Sequence, residues 1–279
     1  MFKASFSCSD IGNQVNEDYV AVGSTYAVLL DGASGITGTR VLPHHSGSDA
    51  QWFSHFVGGR ICEYLDADRG VIDSIRLAVD DSRDFIGEYG VTENEDLFPS
   101  STLVVVSVAG DWVDIVSLGD SPVFIGLKDG SLVTMSDSRI AELDQAAVDA
   151  MVDRSRGSAM TGVQKRAAVN DILLANRQLK NKPDGYWILD PSVVALEHFN
   201  VRRFCIEDID CVCAMSDGLE RAFNLFGLAD PAAFLADATR ESFDELLVRL
   251  RAEENLDPDF DRYPRLKLHD DASCFMLRL

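Results

Sequence analysis

The stretch Ser101–Met135, STLVVVSVAGDWVDIVSLGDSPVFIGLKDGSLVTM, decides the architecture. It reads as four short strands separated by Ala109-Gly110-Asp111, Gly119-Asp120-Ser121-Pro122 and Lys128-Asp129-Gly130. Those residue types supply the dihedrals and local hydrogen bonds that turns require. The apolar, β-branched run from Leu103 to Val108 lacks polar alternation, so its sheet is expected to be covered on both faces.

The pattern extends outward from this meander. Upstream, KASFSC, DYVAVG and TYAVLLD read as strands, with Gly23-Ser24 turning a hairpin between the last two. A loop, GASGITGTRVLPHHSG, leads to helical periodicity over 46–65 and again over 70–89. Downstream, 137–180 holds two polar-rich helical candidates, RIAELDQAAVDAMVDRSRG and QKRAAVNDILLANRQLKN. Strands are expected again at SVVALEHFNV and IDCVCAMSDG, then helices over 231–239 and 242–255, then a closing strand ASCFMLRL. This order predicts a mixed α+β fold with predominantly antiparallel sheet. Strands at both termini are expected to pair, which makes residues 1–279 a single domain.

Composition narrows the partners. The formal net charge of −21 repels nucleic acid and anionic membrane, so neither is expected to bind. No run of 18 apolar residues is present and MFKASFSCSD lacks the apolar core of a signal peptide, so a cytoplasmic location is expected. The six cysteines form no C-x-x-C pair and read as reduced core thiols, with Cys211 and Cys213 on one face of a strand.

Carboxylates gather at predicted strand ends. Asp31 follows YAVLL, Asp217 follows IDCVCAMS, and Asp120 ends WVDIVSLG; Glu17-Asp18 and Asp270-Asp271 stand where two other strands begin. Any Asp-Gly pair also makes an ordinary turn, and Asp129-Gly130 and Asp184-Gly185 are read that way. Fixed carboxylates at several strand ends nevertheless suit Mg²⁺ or Mn²⁺, which take oxygen ligands and keep several waters. Glycine beside such a ligand lets a backbone carbonyl approach the ion.

The ordered set NED, LLDGASG, SSTLVVV, VSLGDS, AMSDGL and HDDAS resembles the metal-dependent protein phosphatases of the type 2C class, bacterial members in particular. The resemblance runs from about Ser5 to the C-terminus. It implies a four-layer α-β-β-α sandwich, two antiparallel sheets flanked by helix pairs. It also implies hydrolysis of phosphoserine and phosphothreonine in protein substrates with two or three Mn²⁺ or Mg²⁺ ions. Asp31 takes the metal-bridging position and the Gly32 carbonyl faces the second ion. Asp217 and Asp270 match ligands of the first ion, Glu17 and Asp18 match carboxylates that hold metal waters or ligate directly, and Asp120 matches a ligand of a third ion. His44, with His45 beside it, aligns with a histidine assigned as general acid in bacterial relatives.

Two departures from the family pattern bear on phosphate capture. Asn13, in GNQVNED, stands where an arginine usually grips the substrate phosphate, and GDSR reads GDSP with Pro122. Arg40, from the loop, is the candidate substitute. The segment 137–185 corresponds to the family's variable flap. The alternative reading is a phosphatase-like, metal-binding regulatory module with weak or no turnover.

Overall fold

Tyr26–Leu30 is buried at every position, and its alternate side chains serve two different cores. A computed structural model describes residues 2–33, 39–91 and 94–279. In chain order it contains β1 (Ala4–Asp10), β2 (Tyr19–Val22), β3 (Tyr26–Leu30), β4 (Gly32–Ala33), α1 (Asp49–Asp66) and α2 (Val71–Tyr89). There follow β5 (Ser100–Ser101), β6 (Leu103–Ala109), β7 (Trp112–Leu118), β8 (Val123–Leu127) and β9 (Leu132–Met135). Next come α3 (Ser138–Ser155), α4 (Gly162–Ala167), α5 (Asn170–Arg177), β10 (Asn200–Cys205) and β11 (Ile209–Met215). The chain ends with α6 (Asp217–Asn224), α7 (Pro231–Ala236), α8 (Arg240–Leu256) and β12 (Ala272–Arg278).

Two five-stranded antiparallel sheets form, in the orders β1-β12-β11-β8-β9 and β10-β7-β6-β3-β2. Both faces of each are covered, as the apolar run Leu103–Val108 requires. Ala27 and Leu29 of β3, with Val104 and Val106 of β6, pack against Val212, Ala214, Phe275 and Leu277 of the opposite sheet. Tyr26, Val28 and Leu30 face the other way, onto Phe53, Val57 and Ile61 of α1 and Ile75, Val79 and Ile86 of α2. Full burial of each such side chain contributes roughly 1.5–3 kcal/mol. On the far side Cys211, Cys213 and Met215 meet Leu219, Phe243 and Leu246 of α6 and α8. The result is the expected α-β-β-α layering. The terminal strands pair, Ala4 opposite Arg278, and Cys8 faces Cys274 with the free thiols 3.1 Å apart.

Four details differ from the sequence reading. The meander is divided: β7 and β8 lie in different sheets, so Gly119–Pro122 is a crossover and not a hairpin turn. The helical candidate at 164–181 breaks into α4 and α5, because Val169 leaves helical geometry to bury itself with Ala147, Met151 and Phe260. SVVALEHFNV is not a strand until Asn200. Val193 turns through a left-handed φ of 63° and Val194–Glu197 form a 3-10 turn that buries Ala195 and Leu196 in the core shared with α1 and α2. The short helix α6, directly after β11, went unread. No described helix is long and apolar enough to cross a membrane.

Candidate active site

Asp31 ends β3 because β2 and β6 pin that strand from both sides and its apolar pattern stops there. Its carbonyl accepts the Thr102 amide (2.9 Å), and its own amide donates to Thr102 Oγ1 (3.2 Å). Thr102 Oγ1 also bonds Ser121 Oγ at 2.6 Å, so Asp31 is tied through Thr102 to the crossover that carries Asp120. The next residue, Gly32, is required: a Cβ there would sit 2.6 Å from the Glu17 carbonyl oxygen. In the second sheet, β11 ends at Met215, Ser216 caps α6, and Asp217 is that helix's first residue. The Asp217 amide reaches Asp31 Oδ2 at 3.4 Å, so a helix N-terminus faces the carboxylate.

These strand ends open on a cavity of about 200 Å³. Asp31, Gly32, Asp120, Asp217 and Asp270 all line it. Its roof comes from the 137–185 segment, through Asp144 of α3, Arg166 of α4 and Arg177 of α5. Glu17 and Asp18 are not on the cavity wall. Asp18 is buried behind Asp31, and its Oδ2 has no hydrogen-bond partner. Glu17 accepts from Ser48, the N-cap of α1, and the adjacent hydroxyl of Ser54 donates to the Glu17 carbonyl.

Mutual repulsion marks the cluster. Burial, then the charges of Asp18, Asp217, Asp270 and Asp120, push Asp31 well above the ordinary carboxylate range. Burial and the Asp217 charge likewise raise Asp120, and burial with Asp270 raises Asp217. Burial pushes Asp18 up to about 7, against the help of the Ser273 and Ser216 hydroxyls. Lost hydration at the cavity rim and the Asp217 charge lift Asp144, an exposed residue of α3, to about 6, and half-buried Glu220 to about 7. Asp270 is the exception. Burial opposes its charge, but Lys267 Nζ at 2.9 Å from Oδ1 and Arg221 Nη2 at 2.7 Å from Oδ2 hold its carboxyl below the usual range.

Among the described residues no three Asp, Glu, His or Cys side chains are already drawn together as a closed ion-holding set. The donors nevertheless fit a hard divalent cation. They are all oxygen, their charges crowd one another, and a buried Asp18 oxygen lacks any hydrogen-bond partner.

Three expected residues lie elsewhere. His44 is exposed and lines a separate pocket with Leu42, His45, Trp52, Phe85 and Tyr89. Arg40 is held at the start of α1 by the Gly47 carbonyl and, at 3.5 Å, by Asp49. Asn13 is exposed and does not line the cavity, so it is not brought to where the family's arginine would act. The preceding loop, residues 34–38, falls outside the described residues. Pro122 is buried, and its carbonyl accepts the Met215 amide at 3.2 Å.

The sequence reading missed the cations and two acids of this site. Arg221 and Glu220 lie within one turn of Asp217 in DGLERA, a spacing that becomes visible once α6 is read as a helix. Lys267 stands three residues before Asp270 in KLHD. Asp144, Arg166 and Arg177 reach the cavity only through the tertiary packing of α3, α4 and α5. Asp271 holds the fold together rather than lining the cavity: it accepts the Gly12 and Glu17 amides at 2.8 and 2.7 Å.

The sequence profile of the protein phosphatase 2C family matches residues 11–261. Among curated proteins no sequence matches the chain. Among solved structures, the chain is similar to the serine/threonine phosphatase PstP/Ppp of Mycobacterium tuberculosis, with 16% identity, TM-score 0.59 and 99% of this chain covering 98% of that one. A PstP catalytic domain in complex with two manganese ions gives TM-score 0.58 at 16% identity, over 99% and 97% of the two chains. Stp1 of Staphylococcus aureus gives TM-score 0.55 at 15% identity, over 100% and 95%. These likenesses establish the fold, and the profile match establishes the lineage. The chain belongs to the protein phosphatase 2C family of metal-dependent protein phosphatases.

Proposed function

We propose that this chain hydrolyses phosphoserine and phosphothreonine in protein substrates, with Mn²⁺ or Mg²⁺ held by Asp31, the Gly32 carbonyl, Asp217 and Asp120, and with Asp18 and Glu17 behind them. The observation that carries this reading is the convergence of Asp31, Asp120 and Asp217 on one cavity from the ends of three strands, β3, β7 and β11. Divalent ions bound there supply a water acidic enough to attack phosphorus and positive charge for the phosphoryl oxygens.

The protein's own groups do the positioning. The Thr102–Ser121 pair keeps the Asp31 and Asp120 strand ends in register, so their carboxylates would hold a divalent ion without rearranging. Arg166 lines the cavity and its side chain makes no hydrogen bond or ion pair among the described residues. It is the cation free to receive a phosphate, a role for which Asn13 and Arg40 are misplaced. Arg177 is partly committed, since its Nη2 donates to the Ala33 carbonyl at 3.0 Å.

The test is steady-state hydrolysis of a phosphoserine or phosphothreonine peptide beside an aryl phosphate, with and without Mn²⁺. Peptide turnover that needs the ion, and that disappears in Asp31→Asn, is the expected result. No release of phosphate from any phosphopeptide at millimolar Mn²⁺ would overturn the reading.

A further inference from the structure

The carboxylate cluster is saturated at one end and open at the other. Both oxygens of Asp270 are engaged by protein cations, Lys267 Nζ on Oδ1 and Arg221 Nη2 on Oδ2, and the Asp271 amide adds a third donor to Oδ1 at 3.2 Å. Asp18 shows the opposite condition, a buried Oδ2 with nothing to accept from.

We propose that the Asp270 end of the site is closed to metal: Lys267 and Arg221 stand at its two oxygens in the place of one divalent ion, and uptake of divalent cations falls to Asp31, Asp18, Asp217 and Asp120. The inference rests on the metal-dependent phosphatase reading and alters its ligand set, since Asp270 was expected to ligate the first ion.

Three features support it. Two unit cations on one carboxylate carry the charge of one divalent ion, so the local balance is met without metal. Arg221 is also held by charge, although its Nη1 makes no hydrogen bond. Arg221 is 13% exposed, projects from α6 one turn beyond Asp217, and has its Nη1 3.7 Å from Oε1 of the fully buried Glu254. Glu254 in turn gives its other oxygen to Arg251 at 2.8 Å. An ion that captured Asp270 would strand Arg221 as a buried cation with its short contact broken, and breaking a buried pair by removing one partner is strongly destabilising. The third feature is local in sequence. Lys267 reaches Asp270 from three residues away, so the contact forms with the loop itself and needs no distant closure.

The experiment counts Mn²⁺ bound to the full chain by equilibrium dialysis and by titration calorimetry, with no turnover involved. Parent, Asp270→Asn, Lys267→Met, the Lys267→Met/Asp270→Asn pair and Asp31→Asn are compared, each checked by thermal melting in chelator. The paired variant restores charge balance if Asp270→Asn alone folds poorly. Expected is that Asp270→Asn, or the pair, keeps the parent's Mn²⁺ number with affinity within about threefold. Asp31→Asn should weaken binding at least about tenfold. Lys267→Met frees one Asp270 oxygen and should add one Mn²⁺ per chain or tighten binding by about tenfold.

Loss of an ion in both Asp270→Asn and the pair overturns the inference while leaving the phosphatase reading intact. So does an unchanged Mn²⁺ number and affinity in Lys267→Met. A parent that takes up no Mn²⁺ overturns the metal-dependent reading, and this inference with it.

Discussion

Asp31 and Asp271 are both acids at strand boundaries, yet their surroundings give them opposite roles. Asp271 is satisfied by the Gly12 and Glu17 amides, which fasten the N-terminal loop to β12. Asp31 faces Asp18, Asp217, Asp270 and Asp120, and its charge is unfavourable as the chain stands. A carboxylate that destabilises its own fold is retained for a ligand, since repulsion of this kind is relieved by a bound cation. Asp31→Asn is therefore expected to lower kcat/KM on a phosphopeptide by at least about 100-fold. The same substitution should leave the chelated protein at least as stable as the parent, because it removes a charge from the repelling cluster. Parallel kinetics and thermal melts check both halves, and a variant that keeps near-parental activity would remove Asp31 from the chemistry. At Asn13 the expectation is null. Asn13→Arg should leave KM unchanged, since Asn13 is exposed and does not line the cavity, and a fall in KM would show that the loop closes over the site.

At the scale of elements, the crossover between β7 and β8 and the three-helix roof carry the site. Gly119 sits in the crossover with φ of +86°, and an added Cβ would lie 3.0 Å from Thr102 Cγ2. Gly119→Ala should therefore cost about 1–3 kcal/mol, read as a lower denaturant midpoint. It should also weaken Mn²⁺ binding, because Thr102 is the residue that holds Asp31. Parental stability with normal Mn²⁺ affinity would mean that the crossover is not a rigid support. In the roof, Arg166→Ala should raise KM for a phosphopeptide by roughly tenfold, equivalent to about 1.5 kcal/mol for a charge-assisted bond, with a smaller effect on kcat. A KM within error of the parent would free Arg166 of the phosphate. The sequence showed the strand ends and their carboxylates because burial on both faces leaves an uninterrupted apolar run that a single Asp terminates. It did not show the division of the meander, since period-2 alternation is the same whether the next strand pairs in its own sheet or in the facing one. Lys267, Arg221 and Arg166 stayed hidden for another reason. Arg221 and Arg166 reach the site from the short helices α6 and α4, and Lys267 from an irregular loop, so neither placement leaves a periodic signal in the sequence.

Over the whole molecule, the net charge of −21 and the buried acids at the cavity act in the same direction. Burial holds Asp18 and half-buried Glu220 up to about 7, lost hydration beside the Asp217 charge holds exposed Asp144 up to about 6, and Asp31, Asp120 and Asp217 are also raised. A carboxyl whose folded pKa exceeds its unfolded value binds more protons in the native state, so stability falls as pH rises through that interval. Without metal, the melting temperature should accordingly drop as pH is raised from about 5.5 to about 8, the interval in which Asp18, Glu220 and Asp144 lose their protons. Asp270 has the opposite sign. Its lowered pKa contributes stability above the unfolded carboxylate value and loses it only in more acidic solution, outside this interval. Divalent cations compete with protons for the same oxygens, so their effect must grow with pH. Mn²⁺ at one fixed concentration, about 100 times its dissociation constant at pH 8, stabilises by about 2.7 kcal/mol there, which for a chain of this size is a rise of roughly 5 °C. That rise should be larger at pH 8 than at pH 5.5, and chelator should reverse it. Differential scanning calorimetry at the two pH values, with Mn²⁺ and with chelator, tests the linkage directly. A chelated protein that melts higher at pH 8, or a Mn²⁺ effect that is the same at both, would mean that the raised acids are not the ones that take the ion.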